Sequence, residues 1–374
     1  MANMAELERR KNHVKKTRAA SRGKRTAVAI AGSKTAAEET QQKNQGRGSA
    51  GKISTGGFSP RLATRPEYPS FWNVLWHTVL SYIRIPLLCT LLTLGVEPLY
   101  QTIVVDYALR TVKLSERAVF TAGTLIVHTV LYILINGFFM LCQYKGWLEE
   151  YRFERKSYQV PKEELVKRTF LEAAVGQFVT GPIVLFYLFT AFKYYGMPSL
   201  DSELPDFSTM FGYFALSHLV NDVGFYWSHR LVHHPSLYSW IHKQHHTYTG
   251  SMGIAAEYAS PLEQIFSNQL PTVGGCLFFG AHPLVFWIWL SARLQQTYEG
   301  HSGYCFAGTM LHKIGMTNSE AAAYHDYHHS GNRGNFGARW LDWTFGTMDA
   351  WVDLGETEGY IKLCRSYRLK KELI

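Results

Sequence analysis

Residues 118–144 run for 27 positions without an Asp, Glu, Lys or Arg, and residues 173–192 do so for 20. About 20 predominantly apolar residues are enough for a helix to cross a hydrocarbon core of about 30 Å. Backbone polar groups inside that core find no water, so only helices and closed barrels span it. These two runs therefore point to an all-α membrane protein. Residues 74–96 are apolar apart from Arg84 and Pro86, and residues 207–227 are amphipathic with Asp222 near their end. Together the four stretches predict about four transmembrane helices. Residues 264–292 form another uncharged run of 29 residues, broken near its middle by Gly274, Gly275, Gly280 and Pro283. As one helix it would be about 43 Å long, more than one crossing needs and short of two. It reads as a re-entrant helical hairpin that dips into the membrane and returns.

Charge orients these segments. Residues 1–65 hold 15 Lys or Arg against 4 acids, whereas the rest of the chain holds 23 bases and 25 acids. The formal net charge of +9 is thus a property of the tail and carries no nucleic-acid signal. The tail is rich in Ala, Gly, Ser, Thr and Lys, so it cannot bury enough apolar surface to offset ordering, and it reads as disordered. It also lacks the apolar core of a signal peptide. Lys and Arg concentrate on the cytoplasmic side of membranes. The 145–169 loop carries seven of them, against three in 97–117 and one in 193–206, which places the tail and that loop in the cytosol. The five cysteines are scattered without a CxxC pair and read as free buried thiols.

Chemistry concentrates in the histidines. Twelve of the 16 lie between 229 and 329, in three clusters: "HRLVH" (His229, His233), "HKQHH" (His242, His245, His246) and "HDYHH" (His325, His328, His329). On a helix, offsets of three and four put side chains on one face, about 5–6 Å apart at Cβ. Such a set suits metal ions, and its size exceeds the three or four ligands that one ion takes. Imidazole serves Zn, Cu, Fe and Ni alike, so ligand type does not name the metal. A zinc peptidase would carry HExxH with Glu as base; here the interior is Arg230, Leu231 and Val232. A redox pair of metals needs no protein base and fits better. His234 precedes Pro235 and is read as a cap or a residue supporting a ligand. Asp222 and Asn335 are further candidates for support behind the ligands. His77, His128, His218, His282 and His312 are read as structural. "GNRGNFG" (331–337) follows no strand-like run and reads as a loop.

The order HxxxH, HxxHH, HxxHH behind several membrane spans resembles the fatty acid hydroxylase/sterol desaturase superfamily of membrane-bound non-heme di-iron oxygenases. "FYWSHRLVHHPSLYSWIHKQHH", "AEYASPLE", "HSGY" and "HDYHH" with "DWTFGT" are most similar to the C4-methylsterol monooxygenases. In place of the Asp-Phe-Pro-Trp run that usually follows HSGY there, this chain has Cys305, Phe306, Ala307 and Gly308. The resemblance implies His229, His233, His242, His245, His246, His325, His328 and His329 as iron ligands. By analogy with acyl desaturases it adds His301. It further implies two irons, O2 as co-substrate, and electrons from NADH through cytochrome b5 and its reductase. The substrate would be a sterol C4 methyl, the place the endoplasmic reticulum membrane, and the companions other sterol C4-demethylation enzymes. Hydroxylation or desaturation of another lipid, and zinc-dependent membrane hydrolysis, are the alternatives. The expected organisation is a basic tail (1–70), transmembrane helices (71–206), a di-iron domain with a cytosolic histidine-rich helical cap (207–350) and a C-terminal tail (351–374).

Overall fold

The computed structural model describes residues 67–314, 316, 317 and 319–372. The basic tail, apart from residues 67–70, lies outside the described residues. The described residues belong to one compact unit. It is all-helical: among the described residues the one β-bridge pairs Arg152 with Tyr304.

The apolar runs become long helices. Helix α1 (Phe71–Tyr100) starts at Ser70, whose hydroxyl accepts from Asn73 N–H, and continues as a π-helical segment, Gln101–Thr111. Helix α2 (Glu116–Lys145) starts likewise at Ser115 and stops at Gly146 in the left-handed conformation. Helix α3 (Glu163–Val175) passes through a π turn, Gly176–Thr180, into α4 (Gly181–Tyr194). Among the described residues, three helical stretches are long and apolar enough to cross a membrane: Phe71–Thr111, Glu116–Lys145 and Ser157–Tyr194. Their outer faces expose Ile126, Ile133, Leu134, Phe178, Val179 and Ile183. Such a continuous apolar surface marks contact with lipid or with another apolar partner.

Helix α5 (Phe207–Val232), capped by Asp206, is the segment expected as a fourth span. It is not one of the three stretches that pass on hydropathy, and its burial accounts for that. Met210, Phe214, Ser217, His218, Asn221, Tyr226 and His229 all face protein rather than surroundings, so a mixed composition is tolerated.

After a short helix α6 (Pro235–Tyr238), the uncharged run folds as two helical arms. The first comprises α7 (Pro261–Glu263), a π segment (Gln264–Gln269) and α8 (Leu270–Phe278); the second is α9 (Pro283–His301). Gly280, at φ +59°, reverses the chain between them, and His282 caps α9 by accepting from Leu284 N–H. Helix α8 packs closely on α5: a Cβ at Gly275 would lie 2.3 Å from Ser217 Cα. Between the helices Phe120, Phe189, Phe192 and Phe286 form one aromatic cluster, and Trp287 donates to Thr124.

The C-terminal part adds short helices α10 (Met310–Lys313), α11 (Ser319–Gly331), α12 (Arg339–Thr344), α13 (Asp349–Leu354) and the longer α14 (Glu356–Glu372). They share a second core of Phe153, Cys305, Tyr324, Trp351, Tyr360 and Cys364. All five cysteines are buried, and none of them forms a disulfide among the described residues.

Candidate metal centre

The nine singled-out histidines meet in two groups: His229, His233, His242, His246 and His328, and separately His245, His301, His325 and His329. Within each group one ring nitrogen per residue lies within 4.8 Å of every other. Three helices bring six of them there. The last turn of α5 carries His229 and His233, α11 carries His325, His328 and His329, and the end of α9 carries His301. The middle motif sits on consecutive turns rather than on a long helix. His242 N–H bonds to Tyr238 O and His246 N–H to His242 O, and His245–Thr247 is a 3-10 turn.

Spacing decides group membership. The three pairs four apart, His229/His233, His242/His246 and His325/His329, each stay within one group. The adjacent pairs His245/His246 and His328/His329 split between the groups. Neighbouring helical residues diverge by about 100°, so a double histidine naturally serves two centres.

The Nε2 atoms approach one another directly. In the first group His229 and His242 are 3.1 Å apart, and His328 lies 3.1 Å from both His233 and His246. In the second, His301 is 2.8 Å from His325 and 3.4 Å from His245, with His329 3.1 Å from His325. Ligands bound at about 2.1 Å and separated by 90–109° stand about 3.0–3.4 Å apart. The spacing therefore fits nitrogens that share an ion.

The opposite nitrogens fix the rings. His229 Nδ1–H donates to Phe336 O, His328 to Gly334 O, His329 to Tyr248 O and His301 to Thr297 O, over 2.6–2.9 Å. His242 Nδ1–H donates to Glu263 Oε1 at 2.8 Å. These bonds hold the proton on Nδ1 and leave the Nε2 lone pair free for a metal. Burial pushes the imidazole pKa values down, to about 4 for His301 and about 3 for His245. At neutral pH the rings are uncharged and able to ligate.

Of the expected supporting residues, Asp222 and Asn335 lie elsewhere, and His234 takes the cap role that was its other expectation. Asp222 takes the Tyr82 O–H (2.9 Å) and faces His218 (3.6 Å), and neither partner belongs to a histidine group. Exposed His234 caps α6 by accepting from Ser236 N–H. Asn335 Nδ2 donates to Tyr324 O, so this side chain does not hold a ring. Its neighbours do: the carbonyls of Gly334 and Phe336 take two Nδ1 protons, so the "GNRGNFG" loop serves the site through its backbone. Gly334 (φ +61°) allows this path, since a Cβ there would lie 2.4 Å from Thr347 O. Glu263 went unassigned in the sequence, although an acid just before an uncharged run was a visible signal. Asp326 was also missed, despite lying inside "HDYHH". It is fully buried and accepts from both Arg155 Nη atoms (2.6 and 2.8 Å), Ser251 N–H and Tyr360 O–H. This clamp ties α11 to the 145–162 loop and to the chain after the middle motif.

A cavity of about 1800 Å³ opens onto the site. Its walls are mainly apolar (Ile85, Leu88, Leu125, Val184, Leu188, Leu290), and five of the nine histidines line it: His229, His242, His245, His301 and His325. Its size exceeds the roughly 300–1,000 Å³ of ordinary small-molecule pockets and suits a lipid.

Comparison with known proteins agrees with this chemistry. The fatty acid hydroxylase family profile matches residues 214–347. Fatty acid hydroxylase domain-containing protein 2 of Macaca fascicularis is 30% identical over 273 residues, covering 70% of this chain and 73% of the relative. Methylsterol monooxygenase 1 of Gallus gallus is 28% identical, covering 64% and 79%. Very-long-chain aldehyde decarbonylase GL1-8 of Oryza sativa subsp. indica is 29% identical, covering 62% and 86%. No solved structure matches the chain significantly. The family is one of iron-dependent oxygenases, which sets aside the zinc hydrolase alternative. The chain belongs to the fatty acid hydroxylase family and is an O2-dependent lipid monooxygenase.

Proposed function

We propose that the protein holds two irons, one in each histidine group, and hydroxylates the C4 methyl of a sterol precursor. The observation that carries this reading is the division of nine neutral imidazoles into two converging groups that share the wall of one lipid-sized cavity. A methylsterol monooxygenase among the relatives favours the sterol over other lipids. Iron, when bound, supplies the reduction of O2 and the oxidation of an unactivated C–H bond. The chain's own residues do the rest. Nine imidazoles bind, Nδ1 partners orient five of them, and the apolar walls receive the substrate and exclude water. Each hydroxylation consumes O2, two electrons and two protons and releases one water.

The electrons come from NADH through cytochrome b5 and its reductase, acting in trans on the cytosolic side of the endoplasmic reticulum membrane. Other enzymes of sterol C4 demethylation would take the product. Four crossings by α1, α2, α3–α4 and α5, with the α7–α9 arms as a re-entrant hairpin, put residues 229–246 and 301–329 on one face. Their convergence in a single site supports that topology. Residues 71–206 would then anchor the enzyme, 207–350 would carry the chemistry, and 351–374 would close the cap. Sterol profiling after deletion tests the substrate. Accumulation of 4-methyl or 4,4-dimethyl sterols is the expected outcome, whereas a normal sterol profile with missing hydroxylated acyl chains contradicts it. The decarbonylase among the relatives favours a second reading, in which the cavity takes a long-chain aldehyde or acyl lipid.

A further inference from the structure

The cavity wall carries a partly buried acid that the metal chemistry leaves unused. Glu257 follows the middle histidine motif in the 3-10 turn Gly253–Glu257. Its Oε1 accepts from Tyr298 O–H at 2.8 Å and lies 3.3 Å from His128 Nε2. The side chain, 19% open, lines the cavity. His128 also lines the cavity, and its Nδ1 is buried without a partner. The position is close to the second histidine group. Tyr298 precedes His301 by three residues on α9, an axial step of about 4.5 Å, and the backbone of Ala255 and Tyr258, on either side of Glu257, lies against His245.

We propose that Glu257, held in place by His128 and Tyr298, accepts a hydrogen bond from a hydroxyl group of the lipid, beside the carbon that is oxidised. A carboxylate facing an apolar cavity requires a donor. An alcohol supplies one, a carboxylate substrate would be repelled, and an aldehyde has no proton to give. Burial alone would raise the Glu257 carboxyl, but His128 and Tyr298 outweigh it and hold it below its ordinary range, so it is an acceptor at neutral pH. Resting on the sterol reading, the assignment places the C3 hydroxyl on Glu257 and so presents the neighbouring C4 methyl to the histidine groups.

The cavity has a second polar area in Tyr82, His218, Asp222 and Arg293. It lies deeper: Asp222 is seven residues before His229 and Arg293 eight before His301, about 10–12 Å along their helices. A hydroxyl bound there would present a carbon remote from it.

The test is equilibrium binding to the purified, iron-loaded full chain in lipid nanodiscs. The probes are 4,4-dimethyl-5α-cholestan-3β-ol, its 3-deoxy counterpart, hexadecanol and hexadecane. Losing a hydrogen bond to a charged acceptor corresponds to about tenfold or more in affinity. Glu257→Leu should weaken the hydroxysterol by about that factor, Glu257→Gln by less, and neither should alter the deoxysterol. Arg293→Met should leave the preference for the hydroxyl intact. Iron content checks folding, and if Glu257→Leu loses iron, Glu257→Gln decides. An unchanged preference in the Glu257 variants, or its loss in Arg293→Met, overturns the assignment. If both sterols bind equally well, the subsite fails and the sterol reading stands. If only hexadecanol binds in a Glu257-dependent way, the subsite stands and the sterol reading fails. If no probe binds, both fail.

Discussion

The two histidine groups offer the same kind of candidate metal site on different scaffolding. The first draws four of its five members from pairs four residues apart, His229/His233 and His242/His246, and only His328 comes from afar. The second gathers His245, His301 and the pair His325/His329 from three separate elements. Their supports differ as well. A buried carboxylate, Glu263, and the carbonyls of Gly334 and Phe336 hold the first. The carbonyls of Thr297 and Tyr248 hold the second, and the Arg155–Asp326 pair anchors the helix from which it hangs. A site built from local repeats is secured close to its ligands. One built from distant pieces depends on the packing of whole elements.

That contrast can be broken at several points. The largest effect is expected from removing one ligand: His301→Ala should lower hydroxylation about 100-fold or more and reduce iron from about two to about one per chain. Metal analysis and turnover check this, and unchanged iron would detach His301 from the second group. Next is the clamp. Arg155→Met leaves Asp326 buried without its cation, and breaking such a pair costs about 3–5 kcal/mol. The melting temperature should drop, with iron lost first from the second group. Spectra showing equal loss from both would dissolve the distinction. Glu263→Gln is milder: metal affinity of the first group should fall about 10–100-fold, as for other partners of ligating imidazoles. Chelator titration should show one site weakened and the other unaltered. The smallest effect is at His234, which belongs to neither group. His234→Ala should cost about 0.5–1 kcal/mol through loss of the α6 cap and leave iron content untouched.

These differences follow what a sequence can display. The membrane helices were legible because length and absence of charge are local properties, as in residues 118–144. A break in the helix within 264–292 was legible for the same reason, although the turn falls at 279–282, slightly beyond the run's centre. Pairing of histidines four apart was visible in the spacing. The division of His245 from His246, and of His328 from His329, is implicit in the 100° step but was not drawn from it. The supporting partners were hidden because they depend on tertiary placement. Nothing near "HKQHH" shows that Glu263, 21 residues on, will meet His242, or that Arg155 will reach Asp326 across 171 residues. Asp222 misled for a related reason. Seven residues before His229 on one helix face, it looked aimed at a ligand, but Tyr82 from α1 takes it.

The central claim is that the protein carries two separate metal sites of iron-oxygenase type. Iron per chain in the purified protein, measured together with O2-dependent hydroxylation, tests it most directly. The account predicts about two irons per chain and turnover that ceases without O2. A single metal per chain, or zinc with turnover indifferent to O2, would contradict it.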